Sequence, residues 1–192
     1  MPAPDTPTDD VADHALPLDR PSSELAHLES LYALGDASSV CFKIALTSEY
    51  DAWARSGHIL GSSLDVSDGF VHASNAAMVV EVERMFFADN SNELVLLEMD
   101  PVKLAHFYSD VQITMADEAP TERPQTTEEK PRLHVVVHRL EDGCRHIHSS
   151  GENGCTLPLE IIERVWPLPK LEGGGRRWPT TKAFEHIAVS KE

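Results

Sequence analysis

Leu94-Val95-Leu96-Leu97 narrows most what this chain can fold into. The run is uninterrupted by any polar residue and sits between Glu93 and Glu98. A run of this kind suits a central strand buried on both faces. Other segments offer it neighbours. Val40 to Leu46 reads as a strand with Phe42, Ile44 and Leu46 on one face. Leu133 to Leu140 reads as another, with Val135 and Val137 on one face and His134, Val136 and His138 on the other. Shorter strand signals lie at 111–114, 145–147 and 165–168. The last is an edge, because Pro167 cannot donate to a ladder.

Helical patterns alternate with these strands. Thr47 or Ser48 can cap a helix that buries Tyr50, Trp53 and Ala54 and stops at Gly57. Asn75 to Phe87 is the strongest helix. Met78, Val79, Val82, Met85 and Phe86 form one face, Glu81, Glu83 and Arg84 face away, and Ser74 stands as N-cap. Asp100-Pro101 opens a helical turn, and 158–165 suggests another. This mixed order predicts an α+β fold.

The domain reads as 39–169. Residues 1–38 form an acidic, proline-rich leader expected to be disordered, with Leu25, Leu28, Leu31 and Leu34 marking a short helix within Ser22 to Leu34. Residues 116–131, rich in Glu, Thr and Pro, read as a flexible insertion, and 170–192 as a C-terminal tail.

Sixteen Lys and Arg against 32 Asp and Glu give a formal charge of −16. Such a field repels phosphate backbones and anionic lipid, so nucleic-acid and membrane partners are not expected. Three cysteines without CxxC spacing argue against a disulfide framework and fit a reducing compartment. Residues 1–20 lack the apolar run of a secretory signal, and no segment approaches the ~18 apolar residues of a membrane span. A soluble, cytoplasmic protein is expected, its leader facing a partner that the sequence does not name.

The chemistry concentrates in Gly61 to Ser74, a polar, glycine-flanked loop running into a short apolar strand that carries His72. His72 can bond a ribose hydroxyl or phosphate, or act as general acid or base; the competing reading is a core histidine satisfied by a carbonyl. Ser74 can donate to the same ligand or cap the next helix. Asp65 can bind a ribose or activate a water. Asp68-Gly69 reads mainly as a tight turn in which glycine takes positive φ. Gly61, Ser62 and Ser63 can bring amides near a phosphate, although they match neither a Walker loop nor GxGxxG. Cys144, His146 and His148 share one strand face, as do His134 and His138. They permit a Zn²⁺ or Cu²⁺ site, but the spacing matches no familiar zinc pattern and a fortuitous cluster is the preferred reading, so no metal is assigned.

Several segments together resemble the DUF952 family of small proteins without an established activity. They are Cys41-Phe42-Lys43-Ile44, Gly61-Ser62-Ser63-Leu64-Asp65 with Asp68 to Ser74, Leu94 to Asp100, Arg145-His146-Ile147, Leu157-Pro158-Leu159 and Val165-Trp166-Pro167-Leu168. The resemblance spans roughly 40–170. It implies a fold similar to that of ADP-ribosyltransferases, a split α+β arrangement with a cleft between two small sheets, and by analogy an NAD-type substrate or ligand. His146 matches the family histidine. His148 stands where that pattern has tyrosine, and can replace a stacking ring only in part. Ser149 to Cys155 is an added loop, and the 116–131 insertion is also extra.

On this reading His72, His146 and Glu160 are the catalytic candidates. Glu160 fills the carboxylate role that such a transferase needs and competes with a solvent-facing reading. Lys43, Ser62, Ser63, Asp65, Asp68, Gly69, Ser74 and His148 are the ligand-binding candidates. The expected function is binding of NAD or a related nucleotide, with cleavage or transfer at the glycosidic bond. The alternatives are a non-catalytic nucleotide-binding module and a metal-binding or scaffold protein using the His134–His148 cluster.

Overall fold

The computed structural model describes residues 39–126 and 132–185. The leader, with the helix expected at 22–34, lies outside the described residues. The strands are β1 Cys41–Leu46, β2 His58–Ile59, β3 Val71–Ser74, β4 Leu94–Met99, β5 Val111–Ala116, β6 Leu133–Arg139, β7 Cys144–Ser149, β8 Leu157–Pro158 and β9 Ile162–Pro167. The helices are α1 Thr47–Ser56, α2 Ser63–Asp68, α3 Ala76–Phe86 and α4 Pro101–Phe107.

The fold is α+β, as the element order predicts. Seven strands form one sheet in the order β5-β6-β7-β3-β1-β4-β9, and β2 pairs with β8 in a small second sheet. Only β5–β6 is parallel within the large sheet. Two small sheets were expected; here most strands share one. The apolar run is β4, paired with β1 on one side and β9 on the other, and Leu94 to Leu97 are all buried.

Each sheet face carries its own core. Cys41, Ala45, Val71, Ala73, Leu97, Val135, Val137 and Ile147 meet Trp53 of α1 and Leu104 of α4 on one face. Phe42, Ile44, Leu94 and Leu96 meet Val79 and Val80 of α3 on the other. Clean alternation in β1 and β6 thus holds. Each fully buried aliphatic side chain contributes about 1.5–3 kcal/mol.

Several local expectations change. Neither Thr47 nor Ser48 caps α1. Leu46 holds the cap position, and its N–H donates to Glu49 Oε2 at 3.0 Å. Ala54 is exposed, while Gly57 ends the helix at φ 75° as expected. Asn75, not Ser74, caps α3, its Oδ1 accepting from the Met78 N–H at 2.8 Å. Ser74 is the last residue of β3. The 158–165 turn shrinks to one 3-10 turn at Leu159–Ile161, and β9 takes over from Ile162. β9 is an edge, as Pro167 requires.

The expected tail is part of the domain as far as residue 185. Trp178 and Phe184 are buried in the second core, and Phe184 meets Phe42 edge-on at 5.0 Å. Arg176 anchors this segment. Its guanidinium donates to the carbonyls of Asn90 at 2.6 Å and Leu168 at 3.2 Å, and its Nε lies 3.5 Å from Glu83 Oε1. Glu83 was expected to face away from the core. It is instead fully buried, and burial raises its pKa against the lowering by Arg176. Within the expected insertion, Ala116 closes β5 and the Arg123 guanidinium donates to the carbonyls of Ser149 and Ser150, each at 3.4 Å. Residues 127–131 lie outside the described residues.

Candidate functional site

The sheet opens between β1 and β3. These strands pair at a single position, Phe42↔Ser74, whereas β1 pairs with β4 along its whole length. His72 therefore has no β1 residue opposite it. Side chains take the place of the missing strand. The His72 backbone N–H donates to Asp65 Oδ1 at 2.9 Å, and its carbonyl accepts from Lys43 Nζ at 3.2 Å.

Asp65 reaches this gap because the expected loop is a helix. Ser62 and Asp65 form a capping box at the start of α2, and Gly69 ends it at φ 80°. The added 149–155 loop packs against both ends of α2. A Cβ at Gly61 would meet Cys155 Sγ at 2.8 Å, and one at Gly154 would meet the Gly69 carbonyl oxygen at 2.2 Å. Glycine is thus required at both contacts, and the role of Gly61 and Gly69 is to seat this helix.

Asp65 is fully buried and its carboxylate accepts from five donors. Ser62 N–H lies at 2.7 Å, Ser62 Oγ at 2.9 Å, Lys43 Nζ at 2.8 Å, and the His72 N–H and Nδ1 each at 2.9 Å. Burial opposes its ionisation, but the His72 hydrogen bonds and the Lys43 ammonium win and hold its pKa well below the usual carboxylate range. An ionised carboxylate only accepts, so His72 Nδ1 carries the proton and the ring is fixed. His72 Nε2 lies 3.3 Å from Asp68 Oδ2.

Beside this triad lies a cleft of 580 Å³. Its floor includes Lys43, Ser74, His72, Cys144 and His146. Its wall is Met78, Val79, Val82, Met85 and Phe86 of α3, with Leu64 of α2 opposite. Leu64, Met85 and Phe86 are 57%, 53% and 72% exposed, so the rim is apolar and open. Burial pushes the Cys144 thiol up to about 12, which keeps it un-ionised.

The histidines form a row across the sheet. His72 opposes His146 across β3–β7, and His146 opposes His138 across β7–β6. Phe70 stacks on His146 at 4.2 Å and also contacts His72 at 4.6 Å and His148 at 4.9 Å. Burial and the neighbouring histidines lower the His146 pKa to about 4. Burial and His138 lower that of His148. Nitrogens of His138, His146 and His148 lie within 4.8 Å of one another, a set of donors able to hold a metal ion. His134 pairs instead with Thr114 Oγ1 at 3.1 Å.

The structure therefore gathers Lys43, Ser62, Asp65, His72, Ser74 and His146 at one cleft. Asp68 and Gly69 lie at the far end of α2, Ser63 begins it, and His148 is two residues beyond His146 on the same face of β7. Glu160 is elsewhere. It lines a separate pocket with Tyr108, Asp110 and Arg132, because the 3-10 turn that carries it follows β8 rather than β3. Sequence reasoning missed the apolar wall as a binding surface, the Phe70 platform, and Cys144 and Glu49 as lining residues. No local signal separated the exposed Met85 and Phe86 from the buried Val79 and Val80 on the same helix.

Among the described residues no helix is long and apolar enough to cross a membrane. No curated protein matches the chain. Among solved structures, the chain is similar to the crystal structure of protein CC0527 from Caulobacter crescentus, with 21% identity, 78% of this chain and 99% of that one covered, and a TM-score of 0.45. The solution NMR structure of CC0527 gives 22% identity, coverage of 79% and 98%, and a TM-score of 0.45. Residues 44–119 match DUF952, described as a protein of unknown function; this supports the resemblance for the motifs between Ile44 and Asp100, while those at 145–147, 157–159 and 165–168 lie outside the match.

Proposed function

We propose that the cleft binds a small amphiphilic molecule of the nucleoside class, NAD or a related nucleotide among them, with His72 at the polar end and the α3 wall against the base. The observation that carries this reading is the buried Asp65 carboxylate holding His72 Nδ1 at 2.9 Å, which fixes a protonated Nδ1 on a ring that lines an apolar cleft. Pockets of this size with an apolar wall and a few fixed polar groups are the usual form of a small-molecule site. Lys43 is already neutralised by Asp65. Affinity is therefore expected from the base and ribose more than from phosphate. The gap left where β1 and β3 pair at a single position supports a cleft between them as part of the same reading.

Turnover at the glycosidic bond is the second reading, favoured by two carboxylates in the lining, Asp65 and Glu49. Both are engaged, Asp65 by Lys43 and His72 and Glu49 by the Leu46 N–H. With Glu160 outside the cleft, binding without turnover is the preferred form.

Thermal-shift titration with NAD⁺, ADP-ribose and adenosine tests this. A ligand at about 100 times its dissociation constant stabilises by roughly 2.7 kcal/mol, several degrees for a domain of this size. All three should raise Tm, adenosine nearly as much as ADP-ribose, and His72→Ala should remove the shift. No shift with any of the three would overturn the nucleoside reading.

A further inference from the structure

We propose that His138, His146 and His148 form a binding site for a first-row divalent cation of borderline softness, Zn²⁺ in the first instance. The inference is independent of the nucleoside reading. It begins with the register. His146 and His148 are two apart on β7 and so share a face, and His138 is the cross-strand partner of His146 on β6. Three imidazoles thus converge from two rigid, adjacent strands, with ligand atoms within 4.8 Å of one another.

The second observation concerns what these nitrogens lack. His138 Nδ1 and His148 Nε2 are both buried and have no hydrogen-bond partner. Buried polar atoms are normally satisfied, and each unsatisfied one needs a reason. Two of them, on neighbouring strands and in the one histidine cluster, share a single explanation if both lone pairs point towards one cation. Phe70, stacked on His146 and touching His148, supplies an apolar wall that excludes competing water.

The donor set selects the ion. Three neutral nitrogens without a carboxylate suit Zn²⁺, Cu²⁺, Ni²⁺ or Co²⁺ and disfavour Mg²⁺ and Ca²⁺, which require oxygen. Tetrahedral zinc with bonds of about 2.0–2.1 Å needs nitrogens roughly 3.3 Å apart. The nitrogens therefore need to close by no more than about 1.5 Å on binding, a small rotation for half-buried side chains. Three protein ligands leave one tetrahedral position open for water or ligand. His146 also lines the cleft, so the ion would sit at its edge.

The test uses the full chain without a polyhistidine tag, stripped by chelator and titrated with Zn²⁺ by calorimetry and with Co²⁺ by visible absorption. One equivalent per chain is expected, with the ligand-field bands of a four-coordinate Co²⁺. His138→Ala and His148→Ala should each weaken binding by more than roughly the tenfold seen when a hydrogen-bond partner of a ligand is lost. The exposed His106→Ala should leave it unchanged. In case a variant does not fold, histidine ring resonances of the unaltered chain provide a second readout, in which Zn²⁺ should move those of His138, His146 and His148. Absence of stoichiometric binding, full-strength binding in the His138→Ala/His148→Ala double variant, or shifts confined to other histidines, an adventitious ion only, would each overturn the proposal.

Discussion

One face of the seven-stranded sheet is finished in two different ways. Over β1 and β4 it carries Phe42, Ile44, Leu94 and Leu96, sealed by α3 and by the segment bearing Trp178 and Phe184. Over β3, β7 and β6 the same face carries His72, His146, His148 and His138, crossed by Phe70. The first half is apolar throughout, apart from the Glu83–Arg176 pair that pins the C-terminal segment. Buried nitrogens without partners occur in both halves, Trp166 Nε1 and Trp178 Nε1 in the first and His138 Nδ1 and His148 Nε2 in the second, where they belong to a cluster of histidines with a cleft at its border. The opposite face does not show this division, since Val71, Ala73, Ile147, Val135 and Val137 continue its core across β3, β7 and β6. Polar residues on one face of otherwise core-forming strands cost stability. On the readings proposed above, the first half carries stability and the second the polar groups of the ligand sites.

The contrast breaks most severely where a buried charge loses its partner. Arg176→Ala leaves Glu83 buried and unpaired, and should cost about 3–5 kcal/mol in urea unfolding. Exchanging both residues for apolar ones should restore most of that. A loss below about 1 kcal/mol would show that the C-terminal segment does not hold the apolar half together. Asp65→Asn strands Lys43 in the same way at the border, and a loss of similar size is expected.

Leu96→Ala probes the apolar half itself and should cost about 2–5 kcal/mol, through lost transfer energy and the cavity left behind. A change under 1 kcal/mol would mean that the β4 core repacks.

Acid titration sharpens the border next. The Asp65 pKa is depressed in the fold and returns to about 3.9 when unfolded, so the unfolded chain takes up the proton first. The contribution of the triad is complete above about pH 4 and is lost as pH falls further, towards the depressed folded value. Asp65→Asn should flatten this acid limb of the stability profile. An unaltered limb would place the acid sensitivity in other carboxylates.

The smallest effect has the opposite sign. His138→Leu removes an unsatisfied buried nitrogen and should stabilise the metal-free chain by about 1 kcal/mol. If it destabilises the chain as Leu96→Ala does, the histidine half is a structural core and not a site.

Most strands of the large sheet, the α+β class and the burial of β4 on both faces were legible because their signals are local, although β4 lies next to the edge strand and not at the centre. Alternation and an uninterrupted apolar run act over a few residues. His72 and Asp65 were legible as chemistry, but their relation was not. Nothing local shows that β1 and β3 would separate after one pair and leave Asp65 to bond the His72 backbone. Glu160 was misplaced for the same reason: order along the chain does not say which side of the sheet a 3-10 turn will meet. Met85 and Phe86 read as buried because helical period assigns a face without saying how far along the helix its partner extends.

The sequence alone determined most strands of the large sheet and the helices that became α1 and α3, though not α2, β2 or β8, and that one strand face of β7 would carry histidines at alternate positions, since side-chain direction has a fixed period of two. Tertiary structure decided the rest. It packed 170–185 into the core because buried Glu83 needed Arg176, a partner more than ninety residues away in sequence that no local pattern links to it. It also set His138 beside His146, because strand register is a pairing between distant segments and is specified only once both faces of the sheet have found their cores.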